Sequence, residues 1–291
     1  MSDKILKDMI KKMEGYGSKA ETPKTTSEEP INNALSNYFV CDLQNYSFKD
    51  DVASMEAPIF SLSTQEDKQL WVWTSEDGKK TVEVAPSVYG RATVFDKDVL
   101  IFAASQLMAG INKGETPSKT IRFKARDYLK ATMRNERGDD YDRFKASLKR
   151  LNGTQITTNI KTGKYSSSKG FGIIDNWEII EKDENNSRMI AVELTLSNWL
   201  YNAIISGELL TITPKYFEIR KPLERRLYEI ARKHVGRQDF WKISLDKLKD
   251  KCGSIRELKK FRLDMKNICI SDNIPDYNLS LSDDIVTFFK R

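Results

Sequence analysis

The chain holds one histidine, His234, in 291 residues, and that scarcity removes a good deal of chemistry. Nicking enzymes built on a His-hydrophobe-His metal pair need two close histidines, which this sequence does not have. A Ser-His-Asp triad would have to use His234, which falls inside ERRLYEIARKHVG on an expected helix. His234 reads instead as a helix C-terminal side chain near solvent, where a cation is favoured. Cysteine is also scarce: Cys41, Cys252 and Cys269 are three in number, far apart and without a CxxC pair. They read as idle thiols in a reducing compartment. No G-x-x-x-x-G-K-[ST] occurs. GKKT at Gly78 to Thr81 lacks the upstream glycine and the helix that must follow, which argues against a P-loop ATPase. GFG at Gly170 to Gly172 lacks the third glycine of a dinucleotide fingerprint and reads as a strand after a tight turn. Asp139, Asp140, Asp183 and Glu184 sit in loop-like text and read as solvated surface acids. No catalytic residue, metal or cofactor is expected. No apolar run approaches the roughly 18 residues needed to cross a bilayer. The opening MSDKILKDMIKKM interleaves acids and bases without an apolar signal core, so the expectation is a cytoplasmic protein with no membrane partner.

What the chain does contain is one order of elements written twice. The first copy runs from Phe95 to about Ile160. DKDVLIFAASQLMAGI predicts an apolar helix, TIRFKARDYLKATM a short strand into a helix, YDRFKASLKRL a basic helix, and TQITTNI a polar strand. The second copy runs from Pro222 to the C-terminus through ERRLYEIARKH, FWKISLDKLKDKC, SIRELKKFRLDMKNI, YNLSLS and IVTFF. Helix, strand, helix, basic helix, hairpin is the order of a winged helix-turn-helix, and its repetition suggests two DNA-reading modules. Lys+Arg exceed Asp+Glu by 48 − 42 = 6, a mild excess whose placement matters more than its size.

The remaining text is strand-rich. Residues 2–13 predict a short amphipathic helix, and GYGSKAETPKTTSEEPINN reads as a tether. APIFSLST reads as a strand, and KQLWVWTSEDG with KKTVEVAP as a hairpin. FGIIDNWEIIEKD and SRMIAVELT predict a second hairpin with KDENNS as its loop. LSNWLYNAIISGE predicts a helix N-capped by Ser197 and closed by Gly207. LLTITPKYFEI reads as a strand leading to Pro222, which suits the first turn of a helix.

A recognition helix buries one face on its own domain and offers the other to the major groove. In YDRFKASLKRL the buried face is Phe144, Leu148 and Leu151. Lys145, Ala146 and Lys149 face away, Arg143 and Arg150 flank them, and small Ala146 and Ser147 permit close approach. In SIRELKKFRLDMKNI the core face is Ile255, Leu258, Phe261 and Met265, with Ser254 as N-cap and Glu257 completing a capping box. Arg256, Lys259, Lys260 and Asn267 project outward. Arg256 and Asn267 have the chemistry to read guanine and adenine, whereas lysines more often hold phosphates. A wing around KTGKYSSSKG carries Lys161, Lys164 and Lys169 near its tip. RKPLERRLYEIARKHVGRQ concentrates further bases, for which phosphate contact competes with pairing to Glu224 and Glu229.

Over Tyr38 to Phe289 the chain resembles the RepA-type replication initiator proteins of bacterial plasmids. The matching text includes DLQNYSFKDDVASMEAPIFSLS, VAPSVYGRATVFDKDVLIFAASQLM, RFKARDYLKAT, LKRLNGTQITTNI, GFGIIDNWEI, VELTLSNWLYNAIISGELLTI and YFEIRKPLERRLYEIARKHVGRQ. The resemblance implies tandem winged helices that bind repeated sequences (iterons) at an origin. It also implies recruitment of the host's helicase and initiator, and related members that act as a homodimer on their own promoter and as monomers at the origin. It carries over no catalytic residue.

The sequence therefore predicts an α+β protein: two tandem winged helix-turn-helix domains with additional β-hairpins. The expected divisions are a tail over 1–37, a first domain over 38–195 and a second over 196–291. The expected function is sequence-specific binding of double-stranded origin DNA by a non-enzymatic plasmid replication initiator with lysine-rich wings on the backbone. A transcriptional autorepressor of the same architecture is the alternative.

Overall fold

The computed structural model describes residues 38–160, 169–183 and 186–291. In chain order the elements are β1 (Phe39–Val40), β2 (Lys49–Asp51), α1 (Val52–Glu56), β3 (Trp71–Thr74), β4 (Thr81–Ala85), α2 (Lys97–Asn112), β5 (Thr120–Phe123), α3 (Ala125–Ala131), α4 (Gly138–Gly153), β6 (Gln155–Thr158) and β7 (Lys169–Gly172). There follow β8 (Ile174–Asp183), β9 (Asn186–Leu196), α5 (Asn198–Ile205), β10 (Leu209–Thr211), a 3-10 turn (Pro214–Glu218), α6 (Pro222–His234), β11 (Phe240–Ser244), α7 (Leu245–Cys252), α8 (Leu258–Ser271), β12 (Tyr277–Ser282) and β13 (Ile285–Lys290). The expected α+β mixture is what the chain forms. Among the described residues, no helix is long and apolar enough to cross a membrane.

The second copy of the repeated order closes on itself. β11, β13 and β12 form a three-stranded antiparallel sheet in that spatial order, so the strand before α7 pairs with the terminal hairpin. The first copy departs from this plan. β5 leaves its own hairpin and pairs with β9 on one side and β1 on the other, in a sheet ordered β1-β5-β9-β8. The hairpin β6–β7 is flanked by β4, so the early hairpin extends that sheet to the order β3-β4-β6-β7. The alternating burial of β4 and β6 is the period-two pattern of a sheet with one face on the core.

Some expected elements form differently. APIFSLST makes no strand; Ser61 contributes an isolated bridge to Thr93. The chain there turns directly out of α1, whose last turn is closed by Ala57 donating to Ala53. LLTITPKYFEI is strand only to Thr211, because Pro214 removes a ladder donor and starts a 3-10 turn. Strands β8 and β9 run into the expected KDENNS loop as far as Asp183 and from Asn186. Ser197 caps α5 by accepting from the Leu200 amide, and Pro222 opens α6, both as the sequence indicates. The segment 1–37 lies outside the described residues.

Two hydrophobic cores result. α2 is apolar nearly all round and is enclosed accordingly, with Leu100, Phe102, Ala103, Ala104 and Leu107 in the first core. That core also takes Leu200 and Ile204 of α5, so the helix expected to open the second domain packs with the first. The second core gathers Leu227, Tyr228 and Ile230 of α6 with Phe261 and Met265 of α8, and reaches back for Met55 and Ile101.

Between the cores lies a buried ionic junction. Lys97 Nζ is 2.7 Å from Asp50 and 3.2 Å from Glu229. Burial opposes the Lys97 ammonium, but those carboxylates hold its pKa above the ordinary lysine value. Arg226 bonds Glu229 at 3.0 Å, Arg134 bonds Asp98 at 2.7 Å, and Arg225 also bonds Asp98. Each first helix of the repeated order thus supplies charges that the other neutralises. This fixes the spacing of everything built on them.

Candidate nucleic-acid interface

α4 behaves as the sequence anticipates on its inner side: Phe144, Leu148 and Leu151 are buried. Asp139 and Asp140 occupy the first turn, where acids complement the helix dipole. Outward, Lys145 is exposed and without a partner among the described residues, and Arg143 reaches Asp140 only at 3.7 Å. Lys149 lies over the Tyr89 ring at 5.1 Å. Two expectations need correction. Arg150 donates through Nε and Nη2 to the two carboxylate oxygens of Asp96, both at 2.7 Å, and so ties α4 to the start of α2. Its fork is filled from within, and it cannot serve the groove without breaking that pair. Ser147 is buried and donates to the Arg143 carbonyl at 3.0 Å, so it is no part of the outer face.

The two strands expected to flank the first wing pair with each other. β6 and β7 pair from Gln155↔Gly172 to Thr158↔Lys169. Lys161 and Lys164 lie outside the described residues, and Lys169 is fixed only as the first backbone position of β7.

α8 starts later than expected. Gly253 closes α7 in the left-handed region at φ 73°, the chain turns, and Glu257 with its extended backbone is the N-cap. Ser254 therefore caps nothing, and no capping box forms with Glu257. The lost turn moves the core face: Phe261, Met265 and Ile268 are buried, whereas Ile255 is 78% and Leu258 37% exposed. Arg256 precedes the helix and pairs with Asp264 at 3.1 Å, and Lys260 lies 3.6 Å from Glu257. Both remain largely open to solvent. Lys259 and Asn267 are exposed and have no ion-pair or hydrogen-bond partner among the described residues; Lys266 on the same face, which the sequence reading passed over, is exposed too, and after the hydrogen bond from Arg262 its charge helps hold the Asp284 carboxyl below its ordinary pKa. Its spacing of seven from Lys259 was the available signal. Arg256 and Asn267 also line a cleft against Ser61, Asp67 and Arg91 of the first half.

The terminal hairpin is not a lysine-rich wing. Its turn is Asp283–Asp284, both at positive φ of 50° and 57°. Asp284 accepts from Arg262 Nε and Nη2, each at 2.7 Å, which ties the tip to α8. An acidic two-residue turn repels phosphate, which argues against this hairpin lying along a nucleic-acid backbone.

The basic segment 220–238 is mostly internal. Lys221 pairs with Glu224, Arg225 with Asp98, Arg226 with Glu229 and Lys233 with Glu56, and Arg232 donates to the Thr211 carbonyl, which leaves Arg220 and Arg237 without a partner among the described residues. His234 ends α6, but not as an exposed cation. It stacks on Trp241 at 4.5 Å, and Glu56 lies 3.6 Å away. Burial first, then Lys251 and Lys233, press its pKa down to about 4. Among the described residues, no group of three or more His, Cys, Asp and Glu could hold a metal ion.

The profile of the replication initiator protein A family matches residues 49–279, most of the chain and both outward-facing basic helices. The chain belongs to that family. A relative described provisionally as a replication protein, from Wigglesworthia glossinidia brevipalpis, is 40% identical over 265 residues, covering 89% of this chain and 95% of its own length. Two crystal structures of domains 2 and 3 of RctB share the fold. One has a TM-score of 0.59 at 14% identity, covering 83% of this chain and 96% of that chain. The other has a TM-score of 0.56 at 14% identity, covering 82% and 96%. At such identity the likeness concerns the fold alone.

Proposed function

We propose that the chain is a sequence-specific, non-enzymatic initiator that grips repeated double-stranded sites at a plasmid origin and recruits host helicase and initiator there. Two tandem winged helix-turn-helix modules would do the gripping, with α4 and α8 in successive major grooves and the β6–β7 wing on the backbone. The observation that carries this reading is the pair of helices, each third in its copy of the repeated order. Each buries an apolar face and leaves cations outward, Lys145 and Arg143 on one, Lys259 and Lys266 on the other. The ionic junction supports it further, because two reading helices address one site only if their spacing is fixed.

Anisotropy titrations on duplex origin repeats test the proposal. About six phosphate contacts give a log–log salt slope near −5. Arg256→Ala should cost about 1–3 kcal/mol on the specific site and relax preference at one base. Lys145→Ala should weaken all sequences alike. A flat salt response, or equal losses on specific and random duplexes for both variants, contradicts the proposal.

A further inference from the structure

The outward face of α8 is not uniformly polar. Leu263 is 59% and Ile270 82% exposed. At 3.6 residues per turn, Lys259 and Lys266 lie about 40° and about 60° to one side of Leu263, Lys260 and Asn267 about 60° and about 40° to the other, and Ile270 about 20° away. The face is therefore an apolar ridge, Leu263 then Ile270, between two polar rails. Single exposed apolar residues are ordinary on protein surfaces. Two in line, seven residues apart and flanked by three lysines and an asparagine, need an occupant that is apolar along its centre and anionic along its edges.

A second copy of this chain does not meet that need. Facing α8 helices would bring Lys259, Lys260 and Lys266 against their own equivalents. The DNA major groove does meet it. Phosphates border the groove on both sides, and the thymine C5-methyl is the one apolar group that the unmodified bases present on its floor. We infer that α8 selects thymine by packing Leu263, and Ile270 beyond it, against thymine methyl groups, while Lys259, Lys260 and Lys266 hold the flanking phosphates. The inference rests on the proposed function and adds a base class to it: the half-site under α8 contains thymine at the position beneath Leu263.

The test uses the full chain. A duplex is selected from a randomised pool, and each thymine of the enriched site is then replaced singly by deoxyuridine, which removes the methyl group and leaves the pairing edge intact. At one or two positions the wild-type chain should lose three- to fivefold in affinity, the loss expected for one methylene-sized group leaving an apolar contact. Leu263→Ala should bind the thymine site less tightly by a similar factor and be indifferent to deoxyuridine at the position beneath Leu263, while keeping any sensitivity at a position beneath Ile270. Leu263→Met should keep the sensitivity. An enriched site at which deoxyuridine is silent, or weakens wild type and Leu263→Ala equally, overturns the inference and leaves the proposed function standing. A pool that yields no enriched sequence overturns both. A dimer in sedimentation that Leu263→Ala dissolves gives the ridge to a second copy and likewise overturns the inference.

Discussion

Asp98 is the residue on which the junction between the two cores turns. Its side chain is 0% exposed, and it accepts from Arg134 at 2.7 Å and from Arg225, whose own side chain is 1% exposed. Asp98→Ala removes the counter-charge and leaves the Arg225 guanidinium buried between Phe95 and Tyr216, with only the Ile219 and Phe217 carbonyls for company. Breaking a buried pair in this way costs about 3–5 kcal/mol, because the abandoned charge keeps its desolvation penalty. For a cooperative unit of this size each kcal/mol shifts the midpoint by about 2–4 °C, so a fall of roughly 10 °C is expected in a melt followed by circular dichroism. Two comparisons isolate the cause. Glu66→Ala removes an exposed pair with Lys68, the two side chains 65% and 60% exposed, and should leave the melting midpoint nearly unchanged, because solvent screens such a pair. Asp98→Leu combined with Arg225→Met removes both buried charges and should recover most of the loss, since apolar replacement of a buried pair is often neutral. A single variant that loses less than about 1 kcal/mol, or a double variant worse than the single, refutes the account of the junction as a charge trap.

Acid should loosen the cluster around α1. His234 has a pKa depressed to about 4 from an ordinary 6.5. The unfolded chain therefore takes up that proton first, and the stabilisation is full above about pH 6.5 and lost as pH falls toward 4. Burial alone would raise the Glu56 carboxyl, but hydrogen bonds and charge from Lys233 and Lys251 bring it down to about 2 from 4.5, which extends the loss below pH 4.5. His234→Phe, which keeps the stack on Trp241, should flatten the upper part of a stability-against-pH curve; an unchanged slope between pH 6.5 and 4 contradicts the assignment. Gly253→Ala should destabilise by about 1–3 kcal/mol in urea titration, since φ is 73° and the new Cβ would stand 2.7 Å from Pro58 Cβ. A neutral result would mean that the turn into α8 can be rebuilt. Lys266→Ala should weaken binding to any duplex alike and reduce the magnitude of the salt slope by about 0.9, and a sequence-dependent loss would instead give Lys266 a base contact.

How far the sequence could be read follows from where each interaction is local. Helix periodicity is local, so α2, α4, α5 and α6 were legible, down to Ser197 and Pro222 as the starts of α5 and α6. The partner of a strand is not local. Nothing in TIRF says that Thr120–Phe123 will leave its own hairpin for Val192–Thr195, and the β4–β6 pairing joins residues from Ala85↔Gln155 to Val82↔Thr158, far apart along the chain. The same distinction governs the interface. Phe144, Leu148 and Leu151 announce an inner face by spacing alone, and Lys145 and Lys259 follow as outward. Whether an arginine is free is decided by what the fold brings opposite it, so Arg150 looks like a cation flanking the groove face in the sequence and is in fact held by Asp96, just as Arg262 is held by Asp284. The early start assigned to α8 fails for a related reason. Ser254 and Glu257 have the right spacing for a capping box, but Gly253 packs against Pro58 and Trp71 from the first half. That contact fixes the turn and delays the helix to Leu258. The delay sets the phase of the face: with the helix begun at Leu258 and Phe261, Met265 and Ile268 turned inward, Leu263 and Ile270 are brought to the centre of the exposed side, between the lysines.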